Sequence, residues 1–259
     1  MSKKQNPNQP PTRSQRNRRQ KKQPKTWGTR IKNTLINLLI LCLLVVGLAL
    51  VFNNQIKNYL VKDTTQKFTV NNYTATDIKK NQDKKATFDF EDVQSLDFNL
   101  VAEARNNTAN MHVLGGIAIP SVDLNLPIFK GVSNYSIAIG AGTMKEDQVM
   151  GKGNYGLASH YMYDPKLLFA PLVRVEMGSS IYLTDLDYIY EYKVTMKEYV
   201  EPTRIEIIDD VPGKRLVTLV TCDVSGENRL IVQGELVKVT AGNAATKDMT
   251  EAFKLPQSN

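Results

Sequence analysis

The feature that most constrains this chain is "TLINLLILCLLVVGLALVF", Thr34 to Phe52, nineteen residues interrupted only by Asn37 and Gly47. At about 1.5 Å per residue, a helix of that length matches the ~30 Å hydrocarbon core of a bilayer. Its amino-side flank, Lys3 to Lys32, holds eleven Lys and Arg, whereas the first acidic residue in the chain is Asp63. The other flank, "NNQIKNYLVKD", is much less basic. Positive charge is retained in the cytoplasm, so the pattern predicts a single-pass anchor in the cell membrane. The amino terminus lies inside, and everything after residue 53 is extracellular. A cleaved signal peptide fits less well, because its apolar region usually runs to about 7 to 15 residues and no small-x-small cleavage site follows cleanly.

The overall charge of +7 is therefore misleading. Eleven of the 33 Lys and Arg sit in the tail, which leaves 22 against 26 Asp and Glu, a net charge of −4 for the remainder. The tail charge lies beside a bilayer, where anionic headgroups attract it, so the partner implied is the membrane surface and not nucleic acid.

Composition divides the chain further. Residues 1–33, rich in Gln, Asn and Pro with hardly an apolar residue, predict a disordered cytoplasmic tail. Residues 34–52 are the anchor, and 53–84, without a clear hydrophobic period, read as an extracellular stalk. "FDFEDVQSLDFNLVAEA", Phe88 to Ala104, predicts an amphipathic helix at the start of a folded domain over 85–240. Residues 241–259 read as a polar tail.

Within that domain eight β-type runs follow one another: "HVLGGIAIP", "VDLNLPIF", "YSIAIG", "YGLASH", "SSIYLTD", "YIYEYKVTMKEYV", "RLVTLVTC" and "RLIVQGELVKV". Val, Ile, Tyr and Thr are frequent in them, and Gly, Pro, Asn or Asp punctuate most of the gaps. Two short helical pieces, "DPKLLFAPL" and "PTRIEII", interrupt the series. The expected fold is mainly β, an eight-stranded closed barrel with short helices, preceded by one transmembrane helix.

Cysteine usage narrows the chemistry. Cys42 lies inside the apolar span and Cys222 in the exported part, so the two cannot pair within one chain. A lone exported thiol is a packed inert residue, an intermolecular crosslink or a nucleophile. As a nucleophile it needs help, because a free thiol with a pKa near 8.5 is only a few per cent thiolate at neutral pH. The chain offers two histidines. His112 opens a strand and reads as structural, whereas His160 ends the small-residue run "NYGLASH" just where a loop begins. Loops held by a rigid scaffold are where reactive groups meet solvent. Arg229 follows Cys222 by seven positions. With Asp223 to Asn228 as a six-residue connection, the two face each other across an antiparallel pair, and a guanidinium there can stabilise a developing oxyanion.

"TLVTC", Thr218 to Cys222, matches the TLxTC signature of sortases, with "LASH" and "NRLIV" in the right order around it. The stretches "IAIPSVDLNLPIFKG", "GAGTMKEDQVMGKGNYGLASH" and "IIDDVPGKRLVTLVTC" resemble the class A housekeeping sortases of streptococcal and lactic-acid type, over roughly residues 88–240. The resemblance implies a sortase-type barrel and a membrane-anchored cysteine transpeptidase. Such an enzyme cuts LPxTG sorting signals of surface proteins between Thr and Gly through a thioester, then joins the new carboxyl to an amine of lipid II, the peptidoglycan precursor. It assigns Cys222 as nucleophile, His160 as general acid or base and Arg229 as oxyanion partner. It also assigns Ala158, Val220, Thr221 and Ile231 to substrate binding. The sequence leaves open whether the Cys and His rest as a neutral pair or as an ion pair.

No cofactor or metal is expected. Some class A enzymes bind calcium through loop acids, here Glu146, Asp147, Glu206, Asp209 and Asp210, but the streptococcal-like pattern does not call for it. Two other functions fit the same residues less well: a cysteine hydrolase, and a non-catalytic tethered binding barrel in which Cys222 is merely packed.

Overall fold

The computed structural model describes residues 27–90, 96–222 and 225–254, in two units, Met1–Phe52 and Asn53–Asn259. Of the disordered tail expected over residues 1–33, residues 1–26 lie outside the described residues, whereas 27–33 are helical. In the first unit, α1 (Trp27–Val51) contains a 22-residue stretch, Arg30–Val51, long and apolar enough to cross a membrane. Its aliphatic side chains from Leu35 to Val51 are exposed all around the helix, the pattern of a segment whose surroundings are themselves apolar.

The second unit is a closed barrel of β1 (Val113–Ile119), β2 (Leu124–Phe129), β3 (Ala141–Thr143), β4 (Asn154–Ala158), β5 (Ser180–Thr184), β6 (Tyr188–Val200), β7 (Leu216–Cys222) and β8 (Arg229–Ala241). The spatial order is β1-β2-β3-β4-β7-β8-β6-β5. Most pairs are antiparallel, but β2 with β3 and β4 with β7 are parallel. Alternation sends Ile117, Ile119, Leu157, Leu183, Leu219, Leu230 and Val232 into the core, which leaves the intervening residues of β4, β7 and β8 on the outer face.

Seven of the eight expected strands are present, but "YSIAIG" is a helix, α5 (Asn134–Ile139). Ser133 caps it by accepting a hydrogen bond from the Ser136 N–H at 3.2 Å. Ile137, Ala138 and Ile139 are buried. Apolar runs this short carry no period that separates helix from strand, and the cap decides. The eighth strand is the three-residue β3, reached through Gly140, where a Cβ would come within 2.6 Å of Phe129 and 2.7 Å of the Pro127 carbonyl. The two expected helical pieces reduce to 3₁₀ turns at Ala170–Arg174 and Ile205–Ile208.

Residues 53–84, read above as a stalk, carry α2 (Asn53–Lys67), a 3₁₀ turn and α3 (Ala75–Gln82). Val61 and Thr64 of α2 are fully buried, and Thr65 donates to the Ile139 carbonyl at 2.7 Å. The helix expected over 88–104 is α4 (Phe98–Asn106), capped by Asp97, which accepts from the Leu100 N–H at 2.8 Å. Residues 88–90 are not helical, and 91–95 lie outside the described residues. The carboxy-terminal stretch, read as a polar tail, forms α6 (Lys247–Ala252) and buries Met249 and Phe253 against Val70, Ile78, Ala118 and Ile189. Gly116 on the outer face of β1 makes room for this: a Cβ there would meet Val70 at 3.1 Å and Phe253 at 3.4 Å.

Candidate active site

One end of the barrel gathers the chemistry because three strand ends meet there. Cys222 is the last residue of β7, Arg229 the first of β8, and the two are register partners. β4 runs parallel to β7 with Ala158 opposite Val220. His160 and Cys222 are therefore each two residues beyond the same matched pair.

The outer face of these strands is a set of rows. Ala158, Val220 and Ile231 are aligned across β4, β7 and β8, and one step lower Gly156, Thr218 and Gln233 are aligned in the same way. Ala158 and Val220 are half-buried and Ile231 is buried, which gives an apolar floor beneath the thiol. Thr221 does not belong to it. Alternation turns its side chain the other way, beside Leu230 of the core, and it is 2% exposed. A substrate on the outer face does not reach that hydroxyl.

The backbone around His160 is fixed from two sides. The Ser159 N–H donates to the Val220 carbonyl at 3.2 Å, and its hydroxyl donates to the Gly140 carbonyl at 2.6 Å. The His160 carbonyl accepts from the Phe169 N–H at 3.2 Å. The imidazole is nine-tenths buried, and its Nε2 has no hydrogen-bond partner among the described residues. Burial pushes its pKa down to about 4, with the Lys57 charge as a second cause. At neutral pH the imidazole is uncharged, with a nitrogen available to accept a proton.

Lys57 was not visible as a site-shaping residue in the sequence. It belongs to α2, donates to the Leu96 carbonyl at 3.3 Å, and is followed by Asn58, whose amide donates to Asp164 in the loop after His160 at 3.4 Å. The available signal was the spacing of Ile56, Leu60, Val61, Thr64 and Phe68, which marks one face of a helix diluted by polar neighbours.

Cys222 is a free, half-buried thiol. The Arg229 guanidinium donates through Nη1 to the carbonyls of Gly226 and Asn228, both at 3.3 Å, which holds it at the Cys222 end of the hairpin. Residues 223–224 of the connection lie outside the described residues.

Among the described residues, two of the five loop acids considered for calcium have side-chain protein partners. Asp210 accepts from Lys145 Nζ at 2.6 Å and from the Asn154 N–H at 2.9 Å, and these bonds, the lysine's first, hold its carboxyl below the usual range. Glu206 pairs with Arg204 at 3.1 Å. Among the described residues no three His, Cys, Asp or Glu are grouped to hold a metal ion.

Known proteins share this architecture. The Sortase domain family model matches residues 117–237. Sortase A of Streptococcus agalactiae serotype III is 41% identical over 222 residues, which covers 83% of this chain and 90% of the relative. Sortase A of Listeria monocytogenes serovar 1/2a is 46% identical over 198 residues, covering 76% and 89% respectively. A crystal structure of Listeria monocytogenes sortase A superposes with a TM-score of 0.51 at 44% identity, over 54% of this chain and 97% of that one. With this barrel, and relatives matched along most of their length, the chain belongs to the sortase family as a class A member and is a cysteine transpeptidase acting on surface proteins.

Proposed function

We propose that Cys222, His160 and Arg229 are the catalytic residues, and that the reaction moves a surface protein from its LPxTG signal to an amine of lipid II. The observation that carries this reading is the register pair Cys222 and Arg229 at the barrel end where β4 delivers His160.

The neutral imidazole takes the thiol proton as sulfur attacks the threonine carbonyl of the signal. Arg229 donates hydrogen bonds to the oxyanion, a contribution of about 2.7 to 4 kcal/mol per donor in other enzymes. As the tetrahedral species collapses, the Thr–Gly carbon–nitrogen bond breaks and His160 passes its proton to the departing glycine amine. A thioester on Cys222 remains. The acceptor amine then attacks, His160 removes its proton, an amide forms, and the proton returns to the sulfur. Ala158, Val220 and Ile231 hold the apolar residues of the signal ahead of the scissile bond.

The apolar helix α1 is the membrane anchor, with the cationic residues on the cytoplasmic side and the barrel outside. Substrate and lipid II occupy the same membrane, so tethering raises their effective concentration near the thiol.

The test is incubation of the full chain in detergent micelles with an LPxTG peptide, with and without an oligoglycine or alanyl amine. Cleavage between Thr and Gly, a thioester adduct on Cys222, and capture of the acyl group by the amine are expected. Cys222→Ala is expected to abolish all three. Full activity of Cys222→Ala would refute the assignment, and release of free acid despite saturating amine would make the protein a hydrolase.

A further inference from the structure

The helix that follows the apolar span turns one face inward and leaves another uncovered. In α2, Val61 and Thr64 are buried, whereas Ile56, Tyr59 and Lys62 are exposed at helical spacing. Tyr59 is 66% exposed. A second aromatic ring, Tyr163, is 82% exposed three residues after His160.

The loop that displays Tyr163 is held firmly. Met162 and Leu168 are buried, the Lys166 N–H donates to Asp164 Oδ1 at 3.0 Å, and the Leu167 N–H donates to the Asp164 carbonyl at 3.2 Å. Arg174 Nη1 donates to the Pro165 carbonyl at 2.7 Å. The fold therefore sets this ring in solvent, which a soluble scaffold has no reason to do.

The two tyrosines flank one contact, since Asn58 donates to Asp164 at 3.4 Å and each residue of that pair adjoins one of them in sequence. Each tyrosine is followed three residues later by an exposed lysine, Lys62 and Lys166. Tyrosine rings settle at the headgroup level of a bilayer, and anionic headgroups attract ammonium groups beside them. The nearby acids have partners: Asp63 pairs with Lys67 at 3.3 Å and Arg105 at 2.8 Å, and Asp164 accepts the two bonds given above.

Connectivity says what this surface meets. Asn53, the first residue of α2, is bonded to Phe52, the last of the apolar run. Tyr59 is six residues further, about 10 Å away in a helix. That reach holds for any course of the chain at Phe52, and it is comparable with the roughly 5 to 8 Å of headgroup layer outside the hydrocarbon core.

We propose that Tyr59 and Tyr163, with Ile56, Lys62 and Lys166, form a docking surface for the headgroup–acyl boundary of an anionic bilayer. The contact holds the loop beyond His160, and with it the Cys222 end of the barrel, at the membrane surface. The inference rests on the reading of α1 as the membrane anchor. The tyrosines touch no reacting atom. They place the site where a substrate held in the same bilayer meets it.

The experiment uses the full chain in vesicles of phosphatidylglycerol and phosphatidylcholine, with Trp27→Phe as background because Trp27 is the only tryptophan. Tyr163→Trp supplies the reporter. Tyr188→Trp is the control, since Tyr188 pairs with Ala241 at the end of the β6–β8 ladder remote from Arg229. With phosphatidylcholine brominated near the top of its chains, Tyr163→Trp emission is expected to fall about twofold and Tyr188→Trp emission to change by less than about a tenth. Tyr59→Ser combined with Tyr163→Ser is expected to lower kcat/KM about tenfold for an LPxTG peptide carrying a lipid at its carboxy terminus in the same vesicles, and less than about twofold for the free peptide.

Tyr163→Trp emission indifferent to bromination, in chains that float with the vesicles, would overturn the proposal, as would equal quenching of Tyr188→Trp. Emission that follows the protein-to-lipid ratio but not bromination would assign the surface to a second copy of the chain. An equal loss of activity toward the free peptide would make it a signal-binding surface, and either result refutes the docking. Chains that fail to float with the vesicles would refute the anchor itself, and flotation distinguishes that failure from a barrel that is tethered but undocked.

Discussion

Acidification tests the environment of His160 directly. An ordinary imidazole titrates near 6.5, and burial, with Lys57 adding to it, pushes His160 down to about 4. The sign follows from which state binds the proton first. As pH falls through 6.5 the unfolded chain takes it up while the folded protein does not, so stability present above 6.5 declines on acidification and levels off below about 4. The interval between those values corresponds to about 3 kcal/mol, a sizeable part of the roughly 5 to 15 kcal/mol that holds a domain together.

The clean measurement uses Cys222→Ala, which removes the reactive thiol and leaves the imidazole environment set by burial and Lys57. Carbon-13 NMR of the two imidazoles, assigned with His112→Gln, reports each midpoint. The His160 signal is expected to move near pH 4, and the urea midpoint of this protein to fall more steeply between pH 6.5 and 4.5 than that of a His160→Gln derivative. Lys57→Met is expected to raise the His160 midpoint yet leave it below 6.5, because burial is the larger of the two causes. A midpoint at 6.5, equal acid sensitivity in both proteins, or full restoration by Lys57→Met would refute the reasoning.

Two further outcomes follow from packing around the barrel. Phe253→Ala empties a fully buried site in the cluster with Val70 and Ile78, and a loss of about 3 to 5 kcal/mol is expected by chemical denaturation; a loss below about 1 kcal/mol would mean that the carboxy-terminal helix does not dock. Ser159→Ala removes the hydroxyl that anchors the residue before His160 to the Gly140 carbonyl. It is expected to cost about 1 to 3 kcal/mol and to lower kcat more than it raises KM; an unchanged kcat would show that the anchor does not place the imidazole.

The β7–β8 hairpin was legible in the sequence because every signal there agrees. Period-2 alternation, a polar six-residue connection and β-branched content all specify one register, and that register places Cys222 opposite Arg229. The same alternation also separates Thr221 from its neighbours: a residue between Val220 and Cys222 on one strand must point to the other face. Its assignment to substrate binding rests on the family resemblance and not on the strand. "YSIAIG" was not legible, since its helix depends on a serine cap and on burial of Ile137 and Ile139, neither of which a six-residue apolar run reveals.

The segments at either end of the barrel were read as stalk and tail for a common reason. Each is mostly polar, and each is held by a few fully buried side chains: Val61, Val70 and Ile78 on one side, Phe253 on the other. Composition averages over such anchors, whereas packing depends on them one at a time. The barrel also needs them, because the outer face of β1 presents Gly116 and Ala118, residues too small to shield their own strand. Val70 and Phe253 meet over Gly116, and Asn71 closes the contact by donating to the Lys254 carbonyl at 2.6 Å. The two ends of the folded unit thus seal one wall of the barrel together. On the amino-terminal side the same packed segment carries α2, which supplies both the Lys57 charge that acts on His160 and the Asn58 contact to the loop beyond it. Residues 53–84 therefore shape the titration of the imidazole as well as the fold, a role that a flexible spacer has no means to perform.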